Sequence, residues 1–231
     1  MGKDKLKRFA DVAKYKNVLE PTWEESMNQE YYLKGKWAAD FFKNDNPIVL
    51  ELACGGGEYT VGLARIHPDK NFLGIDIKGN RIWKGATIAL NDGLDNVGFL
   101  RTRIDFIENF FSENEISEIW ITFPDPQKQS NRARKRLTHT MFLDRYRKFL
   151  QAEGSVRLKT DSTFLYEFTQ LVIQENKLEV LVDSSDIYNE LLPPQPDSML
   201  SKELGINTFY ENKWLKEGKL IKYLEFKLAD Q

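Results

Sequence analysis

One cysteine and two histidines are all that the sequence offers in thiol and imidazole groups. Cys54 can close no internal disulfide, and so few soft ligands leave no place for a cysteine-based zinc centre. No metal is therefore expected, and a reducing compartment, the cytoplasm, fits best. Long apolar runs are missing as well. None approaches the roughly 20 residues that cross a bilayer, and residues 1–16 are too charged for the apolar region of a secretory signal. A soluble protein without a membrane partner is expected. Repeats and low-complexity tracts are absent, which removes solenoids and flexible linkers from consideration. Charge of one sign is lacking too: 33 Lys and Arg against 35 Asp and Glu leave a net charge of -2, which speaks against indiscriminate tight binding to polyanions.

What is present is the material of a folded domain. The 231 residues, 41% hydrophobic and 13% aromatic, suffice for one large core and are too rich in Phe, Tyr and Trp for a disordered chain. Residues 1–44 read as a basic arm with a lead-in helix, and residues 45–231 as the domain proper. Positive charge is clustered within this neutral total. Lys3, Lys5, Lys7, Arg8, Lys14 and Lys16 dominate the start, and Lys128, Arg132, Arg134, Lys135 and Arg136 form a run without an intervening acid. Either run alone reads equally well as a solvated face or as a set of phosphate contacts.

Strand-like apolar runs alternate with helical periodicity along the domain. Strands are expected at 48–52, 71–75, 97–100, 118–123, 154–158, 178–182 and 221–228, and helices at 58–66, 80–90, 138–150 and 163–176. The proline-bearing stretch 192–214 cannot be one regular element. Seven strands alternating with helices predict an α/β fold with a doubly wound, mostly parallel sheet, whose ligands sit beyond the carboxyl ends of the strands.

Each of those ends carries polar groups. Glu51 closes the first strand and is followed by a turn containing Gly55 and Gly57, where a ligand can approach the backbone. A dinucleotide fingerprint would need a third glycine where this chain has Thr60, so a nicotinamide cofactor loses ground. Asp76, about 20 residues on, is placed to accept hydrogen bonds from two ribose hydroxyls, and Asp105 to accept one from an adenine amine. Glu51 is a candidate counter-charge for a sulfonium or ammonium group. Singly, each carboxylate reads as readily as a helix cap or a solvated loop acid. Three at successive strand ends make coincidence a poor account.

Read in order, Glu51 to Gly57, Gly74-Ile75-Asp76, Phe123-Pro124-Asp125-Pro126, Arg134-Lys135-Arg136-Leu137-Thr138, Lys159-Thr160-Asp161 and Thr208-Phe209-Tyr210-Glu211 resemble the motifs of bacterial tRNA (guanine-N7)-methyltransferases over about residues 45–228. The glycine turn is generic to methyltransferases; the later motifs in this order are specific. The resemblance implies a Rossmann-like class I methyltransferase fold with an antiparallel last strand. It also implies S-adenosyl-L-methionine as cofactor and tRNA as partner, in a monomer or homodimer. By position it implies Glu51, Gly55, Gly57, Asp76, Asp105 and Asp125 at the cofactor, with Asp125 also catalytic. Contacts to tRNA are implied at Gln129, Asp161, Thr208, Tyr210 and Glu211. Where the family usually has Asp-Pro-Trp-Pro-Lys, this chain has Asp125-Pro126-Gln127-Lys128-Gln129, so Lys128 is the nearest cation to the expected contact.

The chemistry of guanine agrees. Its N7 presents a lone pair and no proton, so methyl transfer asks for alignment and charge tolerance rather than a strong base. Its N1-H and amino edge suits a carboxylate, Glu211 or Asp161. Arg132, Arg134 and Arg136 are candidate phosphate contacts, and Phe209, Tyr210 or Trp214 candidate stacking partners, although aromatics in such loops are more often packing residues. Thr208 and Glu211, three apart, also read as a helix capping box. Two other readings remain at this point: a methyltransferase for a different RNA or a small molecule, and a non-catalytic RNA-binding homologue.

Overall fold

The computed structural model describes residues 2–28 and 30–228. Met1, Gln29, residues 229–231 and the side chains of Lys3 and Asp4 lie outside the described residues.

Three strands, β2 (Ile48–Leu52), β3 (Asn71–Ile75) and β4 (Val97–Leu100), are buried along their whole lengths. Parallel strands covered by helices on both faces read as continuous apolar runs rather than alternating ones, which is why these three stand where periodicity puts them. They continue through β5 (Ile116–Thr122), β6 (Leu150–Thr160), β7 (Val180–Ser184) and β8 (Lys222–Lys227). An eighth strand, β1 (Val18–Leu19), lies in the N-terminal segment and pairs in parallel with β4, Val18 opposite Phe99 and Leu19 opposite Leu100. The sheet order is β1-β4-β3-β2-β5-β6-β8-β7, with β8 antiparallel to both neighbours. Seven strands were expected. The additional one is two residues long, too short to carry a period.

Helices cover both faces. They are α1 (Gly2–Val12), α2 (Trp23–Met27), α3 (Glu58–Ile66), α4 (Gly79–Asn91), α5 (Thr140–Tyr146), α6 (Thr163–Glu175), α7 (Ile187–Glu190), α8 (Met199–Leu204) and α9 (Phe209–Lys216). One core contains Tyr59, Val61, Ile82, Ala86, Phe99 and Trp120 under α3 and α4; the other contains Trp37, Phe110, Phe142, Tyr146 and Leu165 under α5 and α6. The N-terminal segment joins the first. Trp83 donates to Asp11 at 3.1 Å, Tyr15 and Thr87 share a 2.9 Å hydrogen bond, and Asn17 donates to the Ala86 carbonyl at 3.1 Å.

Several ends move from their expected places for local reasons. Strand β6 begins at Leu150, which pairs with Ile116 ahead of a bulge, so α5 is shorter than the periodic stretch 138–150. Thr138 is buried in a 2.8 Å hydrogen bond with Thr169 instead of entering a helix. Leu178 packs into the core after α6, and β7 starts two residues later than expected. The stretch 192–214 divides into α8 and the start of α9, capped by the Ser198 and Thr208 hydroxyls.

Strand β2 lies between β3 and β5. The chain winds outward through β3 and β4 and then returns to the other side of β2, so the crevice of the fold opens beyond the carboxyl ends of β2 and β5.

Candidate active site

The turn after β2 bends through positive φ at Ala53 (59°), Gly55 (56°) and Gly57 (69°). Gly57 is required by packing: a Cβ there would stand 2.7 Å from the Phe99 ring and 3.2 Å from Gly85, where α3 passes α4. Gly55 is different. A Cβ there would meet nothing closer than the Ala53 carbonyl at 4.0 Å, so the space above it is open to a ligand.

Glu51 lies beneath this turn. Its Oε2 accepts from the Thr60 amide at 2.8 Å and from the Thr60 hydroxyl, and its Oε1 accepts from the Thr122 hydroxyl at 2.5 Å. Burial pushes its carboxyl up to about 7, against the pull of these hydrogen bonds. Glu51 is absent from the walls of both cavities described below. It fastens the first turn of α3 and the end of β5 to β2 from beneath the turn.

Asp76 follows β3, with Oδ2 accepting from the Gly55 amide at 3.0 Å and Oδ1 from the Lys78 amide at 2.8 Å. Each carboxylate oxygen has a second lone pair for a hydroxyl donor. With Ala53, Ile77, Thr102, Ile104, Asp105 and Phe142, Asp76 lines a cavity of about 350 Å³. Asp105 lies on a short 3-10 helix (Ile104–Asn109) beyond β4 and pairs with Arg103 at 2.9 Å. The structure thus brings Asp76, Asp105 and the glycine turn to one place.

The second half of the site starts where β5 ends. Phe123 (φ 47°) and Gln127 (φ 46°) flank Pro124-Asp125-Pro126, so the loop holds two non-glycine residues in the left-handed region, a cost of order 1–3 kcal/mol each that surrounding structure must sustain. Asp125 is exposed, and its Oδ1 accepts from the Gln127 amide at 3.1 Å. It lines a cavity of about 990 Å³ with Lys78, Arg81, Lys128, Asp161, Tyr210 and Trp214 among others. Ile77 borders the smaller cavity and the next residue, Lys78, the larger, on the connection from β3 to α4.

The basic run divides. Arg132 and Arg134 are exposed on a 3-10 helix (Ser130–Lys135) whose N-terminal flank is the exposed Gln129; Lys128 is exposed at the larger cavity. Arg136 is buried instead. Its guanidinium stands 4.7 Å from the Phe164 ring and 4.4 Å from the Phe168 ring, and it donates twice to the Gln127 carbonyl at 3.2 Å. It secures the Asp125 loop to α6 rather than presenting charge to phosphate.

The Thr208 to Glu211 segment divides likewise. Thr208 caps α9 by accepting from the Glu211 amide at 3.1 Å, which is half of the anticipated capping box. Glu211 is fully buried against Lys159, 2.7 Å away, and also accepts from Tyr188 at 3.1 Å. Of the two carboxylates considered for the base edge, Asp161 lines the cavity and Glu211 does not. Tyr210 is exposed on the cavity wall, edge-to-face with Phe209 at 5.6 Å.

Sequence reasoning assigned Lys159 no role of its own, and it is the hub of this region. Its ammonium also donates to the carbonyls of Leu204 at 2.7 Å and Ile206 at 3.3 Å, and burial pulls it down to about 8 while Glu211 opposes the shift. The signal was a lysine directly after the strand expected at 154–158, at the edge of the core, where an ammonium needs a buried partner. Lys78 and Arg81, at the head of α4, were missed too; only the fold brings them to the Asp125 cavity.

A family model described as "Putative methyltransferase" matches residues 45–224. The tRNA (guanine-N(7)-)-methyltransferase of Bacteroides fragilis (strain YCH46) is 51% identical over 231 residues, 100% of this chain and 88% of that protein. That of Christiangramia forsetii is 52% identical over 98% of this chain and 99% of its own. That of Clostridium novyi is 34% identical over 88% and 91%. Among solved structures, the 16S rRNA methyltransferase KamB matches with a TM-score of 0.58 at 14% identity, covering 80% of this chain and 89% of its own. The 16S rRNA (adenine(1408)-N(1))-methyltransferase of Catenulisporales acidiphilia, crystallised with its cosubstrate, matches at 0.52 with 12% identity over 82% and 88%. Such structural likeness speaks for the fold, the identities above for the family. With a class I methyltransferase fold and near-complete alignment to these relatives, the chain belongs to the family of tRNA (guanine-N(7)-)-methyltransferases.

Proposed function

We propose that this chain transfers a methyl group from S-adenosyl-L-methionine to N7 of a guanine in tRNA, a reaction of the cytoplasm. The observation that carries the reading is that two consecutive residues, Ile77 and Lys78, border two cavities, the smaller with Asp76 and Asp105, the larger with Asp125 and Asp161.

The smaller cavity fits an adenosyl group. Asp76 has lone pairs to spare for two ribose hydroxyls, Asp105 suits an exocyclic amine, and Gly55 leaves room for close approach. Bound S-adenosyl-L-methionine supplies an electrophilic methyl group on a positive sulfur. Asp125, held between two prolines at the end of β5, holds a carboxylate beside the incoming base. N7 carries no proton, so Asp125 serves by position and charge. Asp161 accepts from the N1-H and amino edge of the base. Incubation with labelled S-adenosyl-L-methionine and unmodified tRNA, followed by mapping of 7-methylguanosine, tests the reading; no incorporation, or incorporation at another atom, overturns it.

Asp76→Ala is expected to weaken cofactor binding by roughly 10- to 150-fold, the loss of one or two hydrogen bonds to a charged group, while tRNA affinity stays near that of the parent. Calorimetry with each ligand decides; equal cofactor affinity removes Asp76 from the site. Neutralising Arg132 and Arg134 together is expected to lower the log-log salt slope of tRNA binding by up to about 2 units, near one for each phosphate that the protein no longer neutralises. Filter binding across a salt series reads this, and an unchanged slope returns both residues to a solvated face. Arg136 is left out of the variant because its loss would unfasten the Asp125 loop.

A further inference from the structure

The larger cavity holds a cation of its own. After α9 the chain turns at Gly218 (φ 72°), and the Lys219 amide donates to the Trp214 carbonyl at 3.0 Å. The Lys219 side chain then folds back over the helix end. Its ammonium stands 3.3 Å from the centre of the Trp214 ring and 3.2 Å from Oδ2 of Asp161. Lys213 approaches the same ring at 4.4 Å, so this indole already attracts two ammonium groups. Trp214, Asp161 and Lys219 all line the cavity that contains Asp125.

We propose that Trp214 and Asp161 form a box for the positively charged, methylated purine, and that Lys219 occupies it in the free protein as a built-in competitor. The inference rests on the N7 reading above. In that reaction the N7 lone pair forms the new bond to the methyl carbon, and the methyl-sulfur bond breaks with its electron pair remaining on sulfur. No proton leaves the base, so guanine enters neutral and ends with one positive charge.

Two interactions of the box strengthen along that course. The ring face of Trp214 attracts a cation more than a neutral base, and a hydrogen bond from the purine edge to Asp161 becomes charge-assisted. Interactions that are stronger in the transition state than in the ground state accelerate the chemical step, whereas uniform ones only tighten binding. Lys219 opposes the matching hazard, retention of the charged product, because its ammonium makes the same two interactions. Glu217, 3.8 Å from that ammonium and exposed, gives the displaced side chain a partner at the rim.

The test compares the affinities of the intact chain for one tRNA transcript in its unmethylated and N7-methylated forms, by filter binding. Lys219→Ala removes an ammonium that repels the charged purine but not the neutral one. It is expected to raise the ratio favouring the methylated form roughly tenfold, Lys219→Arg to leave it at the parent value, and Trp214→Leu to lower it, leaving only the share that Asp161 provides. In turnover assays Lys219→Ala is expected to show stronger inhibition by methylated tRNA. A ratio unmoved by Lys219→Ala, or by Trp214→Leu in a protein with parent-like circular dichroism, overturns the proposal. The two readings fail separately. A parent that forms no 7-methylguanosine in tRNA refutes the proposed function, whereas a parent that forms it with unmoved ratios refutes this inference alone.

Discussion

Asp125→Ala is expected to lower the methylation rate on tRNA by at least about a hundredfold, the scale on which one preorganised electrostatic group acts, while the protein stays folded. The carboxylate is exposed and accepts from the Gln127 amide only two residues on, so truncation removes little from the core. The left-handed residues Phe123 and Gln127 that shape the loop are held from elsewhere: the Phe123 amide donates to the Lys159 carbonyl at 2.8 Å and the Gln127 carbonyl accepts from Arg136. Asp125→Asn separates two contributions. It keeps the shape and one acceptor oxygen, so a severe loss points to charge and a mild one to positioning. Since N7 loses no proton, raising the pH is not expected to rescue either variant, and a rescue would restore a general-base role. Full activity of Asp125→Ala at saturating cofactor would move the search to Asp161, because Glu211 is occupied by Lys159.

What could be read from the sequence and what could not divide along a physical line. Strands β2, β3 and β4 and helix α3 stand on the residues that periodicity assigns, because each buries a continuous or strongly periodic apolar set. Strand β1 has two residues and no period, and its place is set by pairing with β4, some 80 residues away in the chain. The same division runs through the site. Motif order puts Asp76 and Asp125 at strand ends, and the fold aligns those ends. It does not reveal which charges are already committed. Arg136 reads as one more cation in a run until Phe164 and Phe168 close around it, and nothing near Glu51 in the chain says that Thr60 and Thr122 bind its two oxygens. Glu211 and Lys159 lie about 50 residues apart, each in a recognisable motif, and nothing local in either says that they meet.

That meeting sets the second large expected effect. Lys159→Met leaves the Glu211 carboxylate buried without its cation and the Leu204 and Ile206 carbonyls without a donor. Breaking a buried pair on one side costs about 3–5 kcal/mol, most of it for the stranded charge, and at roughly 2–4 °C per kcal/mol in a chain of this size the melting temperature is expected to fall by about 6–20 °C. Glu211→Gln strands the ammonium instead, which can lose its proton more readily since burial already draws it down to about 8, so a smaller fall is expected. Combining Lys159→Met with Glu211→Leu removes both charges and is expected to be less damaging than the sum of its parts, a non-additivity that differential scanning calorimetry on the four proteins measures directly. Function is coupled to the same bond. The pair ties β6 to α9, and α9 brings Tyr210 and Trp214 to the cavity wall, so Lys159→Met is expected to lose tRNA methylation even well below its melting temperature while retaining cofactor affinity near that of the parent. A melting temperature within about 2 °C of the parent, or full methylation by Lys159→Met, would show that the α9 wall of the cavity is held in place by something other than this ion pair.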